Sequence, residues 1–380
     1  MVPLTRLSTS GFKMNKKYLN IICIACFTVV IFGFLLTNII APDQEFSYSE
    51  RRKLAQFPQF STEEFWSGEF FEKCEDYFLD QFTFRDGFRG FKAYVKLSLL
   101  GQKDNNGIYI KDGYIIKIEH PLKESSVLIA ANKFNEVYAK YLQDLNVYYS
   151  VIPDKNYFTG PENGYLSIDY EKMLEILSQN TQNMTFIDIF PELTLDDYYK
   201  TDIHWCQENI IPVADALLKA MNANALASGV NYTRHELSPF YGSYYGHAAL
   251  NTKPDTLVYL SSQIIENAIA YDYETGTWNS IYIPDNFNNV DPYDVFLSGA
   301  KALITIDNPS ADTDRELIIF RDSYTSSLAP LLLEGYAKIH LVDLRYITTD
   351  YVGELIEFQP GADALFLFGA QVLNNAAMLK

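Results

Sequence analysis

The sequence predicts an α/β domain whose mainly parallel sheet carries helices on both faces, preceded by an N-terminal transmembrane helix. Three observations support this. From residue 105 onward, short apolar runs suited to buried strands alternate with runs of helical period, a rhythm that implies right-handed crossovers between parallel strands. A long uncharged apolar run stands near the N-terminus. Near the C-terminus a strand, a two-residue turn and a helix follow one another over Glu316–Leu333, the arrangement by which α/β proteins present groups at the carboxyl edge of the sheet.

The charge pattern separates the tether from the body. Residues 1–41 carry Arg6, Lys13, Lys16 and Lys17 and no acid, which leaves 26 basic residues beside all 48 Asp and Glu in the remainder, a net charge near −22. A body this acidic is repelled by phosphate backbones, which excludes nucleic acid as a partner. Solubility is the simplest reason for the acidity. The chain of 380 residues is 48% hydrophobic, enough for the core of one such domain. Its 15% aromatic content suits a sugar-handling surface and a packed core alike.

Residues 21–41 read IICIACFTVVIFGFLLTNIIA, without a charge. As a helix this run spans roughly 30 Å, the thickness of a bilayer's hydrocarbon core. Basic residues precede it and Asp43 and Glu45 follow it. Residues 1–20 therefore form a cytoplasmic basic tail, residues 21–41 a transmembrane anchor, and the body lies outside the cell. The rival is a cleaved signal peptide, but its apolar region is shorter, and Thr37–Asp43 lacks a clean small-x-small cleavage pattern. The expected location is the cell membrane, single-pass, with an extracellular domain. Cys23 and Cys26 fall inside the span. Cys74 and Cys206 lie beyond it, and both a disulfide and two free thiols remain open for them.

Residues 42–104 read as a juxtamembrane helical segment, because Phe65, Phe70, Phe71, Cys74, Tyr77, Phe78 and Phe82 recur at helical spacing. The main domain is residues 105–380. It opens with a hairpin in which Asp112-Gly113 turns between two β-prone runs. A helix follows over Ser125–Leu145, then strands over Asn146–Pro153 and Thr185–Ile189. The helix Asn209–Met221 has Ile210, Val213, Ala214, Leu217 and Met221 on one face. Beyond the strand Glu316–Phe320 come the helix Thr325–Leu333 and strands at Lys338–Leu344 and Ala364–Phe368. Residues 223–300, rich in Tyr, Asn, Ser and Gly, break the rhythm and read as an insertion over the site.

Two motifs carry chemistry, 119 positions apart. In Tyr198-Tyr199-Lys200-Thr201-Asp202-Ile203-His204-Trp205, residues two apart in an extended loop point the same way. Asp202 can then accept the Nδ1 proton of His204 and leave Nε2 free as a base. In Arg321-Asp322-Ser323-Tyr324, a serine stands between strand and helix, where it can act as a nucleophile once a base is near. Backbone N–H groups from Ser323 and Tyr324 onward point outward at the helix start, suited to a developing oxyanion. Taken singly, Ser323 reads as a helix N-cap and Asp202 with His204 as a surface pair. A metal site is disfavoured, since Asp202, His204 and Cys206 are unlike ligands with no second histidine nearby. No cofactor is expected.

At these residues the sequence resembles the DHHW family, itself similar to the SGNH hydrolase-like acetyltransferases of alginate biosynthesis. Residues 198–205 match its Tyr-Tyr-x-Thr-Asp-x-His-Trp signature. Glu50-Arg51-Arg52-Lys53-Leu54, Pro58, Gly68, Arg85, Ile108–Ile115, Val151-Ile152-Pro153-Asp154-Lys155, Phe240–Ser243 and Val342–Tyr346 resemble further blocks, so the likeness covers about residues 45–380. Ile203 replaces the first of two histidines often present, and Arg321 stands where SGNH enzymes usually have Gly.

The resemblance implies an SGNH hydrolase-like fold and a catalytic triad of Ser323, His204 and Asp202. It also implies O-acetyl transfer to a surface polysaccharide, with a membrane-bound partner supplying the acyl donor. Beside Tyr324, Gly242 and Asn374 are the candidates to complete an oxyanion hole. Arg321, Trp205, Tyr241 and Tyr244 are the candidates to contact substrate, and Tyr245, Trp278 and Tyr282 could extend an aromatic wall, although each aromatic singly fits packing as well. A carbohydrate esterase and a non-catalytic glycan-binding scaffold remain the alternatives.

Overall fold

The computed structural model describes residues 15–47, 49–250 and 252–380. Arg6 and Lys13 of the basic tail lie outside the described residues. The chain forms two compact units, one from residues 1–47 and 52–89, the other from residues 48–51 and 90–380.

In the first unit, helix α1 (Lys16–Ile40) is long and apolar enough to cross a membrane and buries none of its residues. Strands β1 (Phe46–Ser47) and β2 (Arg52–Lys53) pair antiparallel. Helices α2 (Thr62–Ser67) and α3 (Glu69–Asp80) meet at Gly68, whose φ of 92° suits glycine and separates the two. Helix α4 (Arg85–Tyr94) begins in this unit and ends in the other. The helical pattern of residues 42–104 thus resolves into several short helices.

The second unit opens with the hairpin of β3 (Ile108–Lys111) and β4 (Tyr114–Lys117). Its turn residues Asp112 and Gly113 have φ of 51° and 85°, as a two-residue turn of this kind requires. There follow α5 (Glu124–Val137), β5 (Asn146–Ile152), α6 (Lys155–Thr159), α7 (Tyr170–Asn180), β6 (Thr185–Phe186) and α8 (Ile211–Ala220). Next are β7 (Thr233–Phe240), α9 (Ser243–Ala248), β8 (Asp255–Ser261), α10 (Gln263–Asn267), β9 (Ile269–Asp272), β10 (Thr277–Ser280) and β11 (Leu303–Asp307). The chain closes with β12 (Glu316–Arg321), α11 (Thr325–Leu332), β13 (Lys338–Val342), α12 (Thr349–Leu355), β14 (Asp363–Gly369) and α13 (Ala370–Leu373).

Eight strands form one sheet in the order β10-β9-β11-β13-β12-β14-β5-β6. The run from β13 to β6 is parallel, and β11, β9 and β10 extend it antiparallel. Side-chain alternation divides the core across the sheet. Leu317, Ile319, Leu365 and Leu367 face one side, with Val213, Leu217 and Leu328 from α8 and α11. Ile318, Phe320, Phe366 and Phe368 face the other, with Ala130, Phe134, Met173 and Leu177 from α5 and α7. The sheet is therefore covered by helices on both faces, as the sequence predicts.

Two expectations differ from the structure. Residues 223–300 are expected as an insertion, but β9 and β10 are strands of the main sheet, and within this segment β7 and β8 form a separate two-stranded sheet. An antiparallel edge pair has one side less buried than a central parallel strand, so its sequence lacks the continuous apolar run. The strand expected over Thr185–Ile189 stops at Phe186, because the chain turns into a 3₁₀ segment at Phe190–Glu192.

Candidate active site

The loop 198–205 is a tight hairpin-like turn. Tyr198 and Trp205 pair antiparallel, and the Tyr199 N–H donates to the His204 carbonyl over 3.1 Å. Two charged groups pin its tip, a half-buried carboxylate and a buried lysine. The Asp255 carboxylate accepts from the Lys200 and Thr201 N–H groups and from the Thr201 hydroxyl, at 3.0, 2.7 and 2.6 Å. From the start of α6, Lys155 Nζ donates to the carbonyl oxygens of Tyr199, Lys200 and Asp202 at 2.9, 3.3 and 2.7 Å. Burial lowers the Lys155 pKa to about 7, against the pull of Asp202 and Asp255.

Asp202 is fully buried and both its oxygens are occupied. Oδ1 accepts from His204 Nδ1 at 2.6 Å and from the His204 N–H at 3.0 Å. Oδ2 accepts from the Ser243 N–H at 2.6 Å. Burial alone would raise the carboxyl's pKa. The adjoining His204 ring, the hydrogen bonds to it and the Arg51 charge outweigh it and hold the group well below the usual carboxylate range. An ionised carboxylate only accepts, so the His204 proton sits on Nδ1 and the Nε2 lone pair is exposed. That nitrogen lies 2.8 Å from Ser323 Oγ. The imidazole stacks on the Tyr293 ring at 3.9 Å and 6°, and meets the Tyr324 ring edge-on at 5.1 Å.

Ser323 stands at the end of β12, one residue before the N-cap of α11. The neighbouring Asp322 carboxylate holds the turn, accepting from the Tyr324 and Gly369 N–H groups at 3.1 and 2.7 Å. Two cross-links join this turn to the histidine loop: Trp205 Nε1 donates to the Tyr324 carbonyl at 3.1 Å, and the Tyr324 hydroxyl donates to the Ile203 carbonyl at 2.8 Å. The two motifs expected to cooperate thus meet at the carboxyl edge of the sheet.

The expected secondary residues are placed differently. The Tyr324 N–H is spent on Asp322, the Gly242 N–H on Thr201 Oγ1, and the Asn374 side chain on Lys123 and Pro121. Neither Tyr324 nor Gly242 offers a spare backbone donor to an oxyanion, and one of the two Asn374 Nδ2 hydrogens is taken by the Pro121 carbonyl. Among the described residues, the Ser323 N–H meets no acceptor. Gly242 has a different reason to be glycine: a Cβ there would lie 2.3 Å from the Asp202 Cα.

Arg321 is completely buried beneath the turn, where Nη1 donates to the Asp322 carbonyl and to Ser326 Oγ, so it cannot contact substrate. Trp205 is equally buried, and Tyr244 is buried with its hydroxyl bonded to Gln371. Of the four substrate candidates, only Tyr241 is exposed.

Arg51, Lys155, Asp255, Asp322 and Tyr293 all bear on the site and were not singled out from sequence. Arg51 and Lys155 fall within blocks that resemble the DHHW family, which was the available signal.

The sequence profile described as DHHW protein matches residues 50–122 and 173–342, well over half of the chain. No curated protein matches the sequence. Among solved structures, a DHHW family protein from Eubacterium siraeum is similar at 20% identity and a TM-score of 0.59, over 72% of this chain and 95% of that one. PatB1 of Bacillus cereus is similar at 16% identity. Its structure with a sulfonyl adduct gives a TM-score of 0.55 over 70% of this chain and 97% of that one. A second PatB1 structure gives 0.56 over 71% and 97%. At such identities the likeness is one of fold, the SGNH hydrolase-like α/β fold.

Proposed function

The chain belongs to the DHHW family, and on that premise we propose that it is a membrane-anchored O-acetyltransferase acting on a surface polysaccharide outside the cell. Ser323 is the nucleophile, His204 the general base, and Asp202 the group that orients the imidazole and stabilises its charged form. The Ser323 oxygen bonds to the acyl carbonyl carbon of a donor ester while His204 Nε2 takes the hydroxyl proton. The donor C–O bond then breaks, and His204 returns the proton to the departing oxygen. A glycan hydroxyl attacks the resulting acetyl-serine with its proton passing to His204, and the serine leaves with that proton.

One observation carries this reading: His204, its Nδ1 held by a buried carboxylate, places Nε2 2.8 Å from a serine oxygen at a strand-to-helix turn. The apolar helix α1, which carries charge only at Lys16 and Lys17 of its first turn and is followed by an acidic body, supports the anchor and the external location. A donor delivered by a membrane-bound partner completes the proposal.

Two other readings share the site. If water replaces the glycan hydroxyl, the same residues make a carbohydrate esterase. A non-catalytic glycan-binding scaffold is favoured by the spent N–H groups of Tyr324 and Gly242. The test uses full-length protein in detergent with p-nitrophenyl acetate, with and without polysaccharide isolated from the producing cells. Release of nitrophenol that depends on Ser323 and His204, with acetyl groups appearing on the polymer, supports the transferase. Release without acetyl transfer points to the esterase, and no release to the scaffold.

A further inference from the structure

Arg51 reaches the site from a segment far from both motifs. Residues 48–51 belong to the larger unit. Ser49 packs against α9 so closely that a Cβ on Gly246 would lie 1.6 Å from its carbonyl oxygen. Arg51 itself has a φ of 53°, the left-handed region that side chains rarely adopt. Such a conformation is unfavourable for a side-chain-bearing residue and persists only where the surroundings enforce it.

The contacts of the guanidinium supply the enforcement. Nη1 lies 2.6 Å from Asp291 Oδ1 and 3.4 Å from Asp202 Oδ2, and Nη2 donates to the Tyr241 carbonyl at 2.6 Å. Its carbon sits 5.7 Å over the Phe240 ring. The side chain is almost wholly buried, and one positive charge bridges two carboxylates. Buried charges without partners are strongly unfavourable, so this cation has a defined task.

We propose that Arg51 is a positioning residue for the triad, holding the far oxygen of Asp202 so that the near oxygen presents to His204 at a fixed angle. This rests on the acyl-transfer reading above and deepens it. The two oxygens of Asp202 have divided duties. Oδ1 serves the imidazole, while Oδ2 is restrained by the Ser243 N–H and by Arg51. Without the guanidinium, one backbone N–H alone restrains Oδ2, and Asp202 and Asp291 share no cation. The carboxylate can then turn about its Cβ–Cγ bond, and His204 loses its aim at Ser323. Positioning errors on this scale lower turnover and leave substrate binding little changed.

The charge has a second effect. The imidazole is faced by Asp202, Ser323, Tyr293 and Tyr324, with Arg51, Asp291 and Asp294 standing behind Asp202 and Tyr293. Two cations flank Asp202, Lys155 on its carbonyl and Arg51 on its carboxylate, and the Arg51 charge opposes protonation of His204. Its loss makes the imidazolium easier to form, so the acid limb of the pH–rate profile moves to higher pH.

The experiment compares wild type, Arg51→Gln and Arg51→Lys as full-length protein in detergent, with p-nitrophenyl acetate as substrate. Expected for Arg51→Gln is a 10- to 100-fold fall in kcat, a KM within about threefold, and an acid limb displaced upward. Arg51→Lys keeps the charge and should hold the limb near wild type while recovering part of kcat. A purely structural role would lower the melting temperature but leave the limb in place. An unchanged limb and unchanged kcat in Arg51→Gln overturn the proposal. Ser323→Ala is the control for the underlying reading: if it equals wild type, acyl transfer through Ser323 fails on its own. In that case NMR titration of the His204 ring, assigned with His204→Gln, still decides. An upward displacement in Arg51→Gln supports the Arg51 role, and none refutes it.

Discussion

The Ser323 hydroxyl lies 2.8 Å from His204 Nε2, although the two residues are 119 positions apart. This contact depends on the crossed anchors between their loops, Trp205 to the Tyr324 carbonyl and the Tyr324 hydroxyl to Ile203. Each loop fixes the other, so changes well outside the reacting atoms should register in the chemistry.

Gly242→Ala is the most sensitive packing change. Its new Cβ would meet the Asp202 Cα, Cβ and N at 2.3–2.4 Å, and backbone cannot yield as a flexible side chain can. Overpacking of this kind costs roughly 1–3 kcal/mol. We expect a lower melting temperature together with at least a tenfold loss of kcat in the protein that still folds. Wild-type kcat in a folded Gly242→Ala protein would remove this account of the glycine.

Lys155→Met should destabilise the protein by about 2–4 kcal/mol, because it strips the donor from three backbone carbonyls. The pH dependence has a defined sign. With the folded pKa lowered to about 7 from 10.5, the unfolded chain binds more protons between those values. The wild type therefore gains stability from this group as pH rises through that window. Urea melts at pH 6 and pH 9 should show the gap between wild type and Lys155→Met widening with pH.

Asp294 supplies the opposite slope. Burial and then the neighbouring Asp291 raise its pKa from 3.8 to about 7. Between those values the folded protein holds more protons than the unfolded chain, so this group's contribution falls as pH rises. Asp294→Asn should lack that slope and be more stable than wild type at pH 8. Equal stabilities there, measured by urea denaturation, would refute it.

Tyr293 covers one face of the His204 imidazole, and its hydroxyl donates to Ser327 Oγ at 2.8 Å. Tyr293→Phe keeps the stack and should retain kcat within about threefold. Tyr293→Ala frees the ring and admits water, and should lose tenfold or more. The ratio of the two variants, measured on the same ester, separates stacking from the hydroxyl.

The legible parts of this molecule are those where local pattern and tertiary role coincide. Strand β12 and the turn after it are apolar run, Asp322-Ser323 and helix start, all readable in order. The alternation of Leu317, Ile318, Ile319 and Phe320 between the two cores follows from the same run. The spacing of Asp202 and His204 gives their hydrogen bond directly, since it closes within three residues.

Other features depend on distant partners. Whether the N–H groups of Gly242 and Tyr324 are free is decided by Thr201 and Asp322, which sequence alone does not put beside them. Arg321 is a candidate substrate contact in the sequence, but the strand end turns it inward onto Ser326. Strands β9 and β10 carry Tyr271, Trp278 and Asn279 on an edge pair, without the unbroken apolar run of the central strands.

The most direct test of the central claim is to trap the acyl group. Full-length protein is mixed with p-nitrophenyl acetate, quenched in acid and digested, and the peptide containing Ser323 is weighed. The account predicts one added acetyl group on Ser323 in wild type, and none in Ser323→Ala or His204→Ala. Acetylation at any other residue, or equal labelling of wild type and His204→Ala at Ser323, would contradict it.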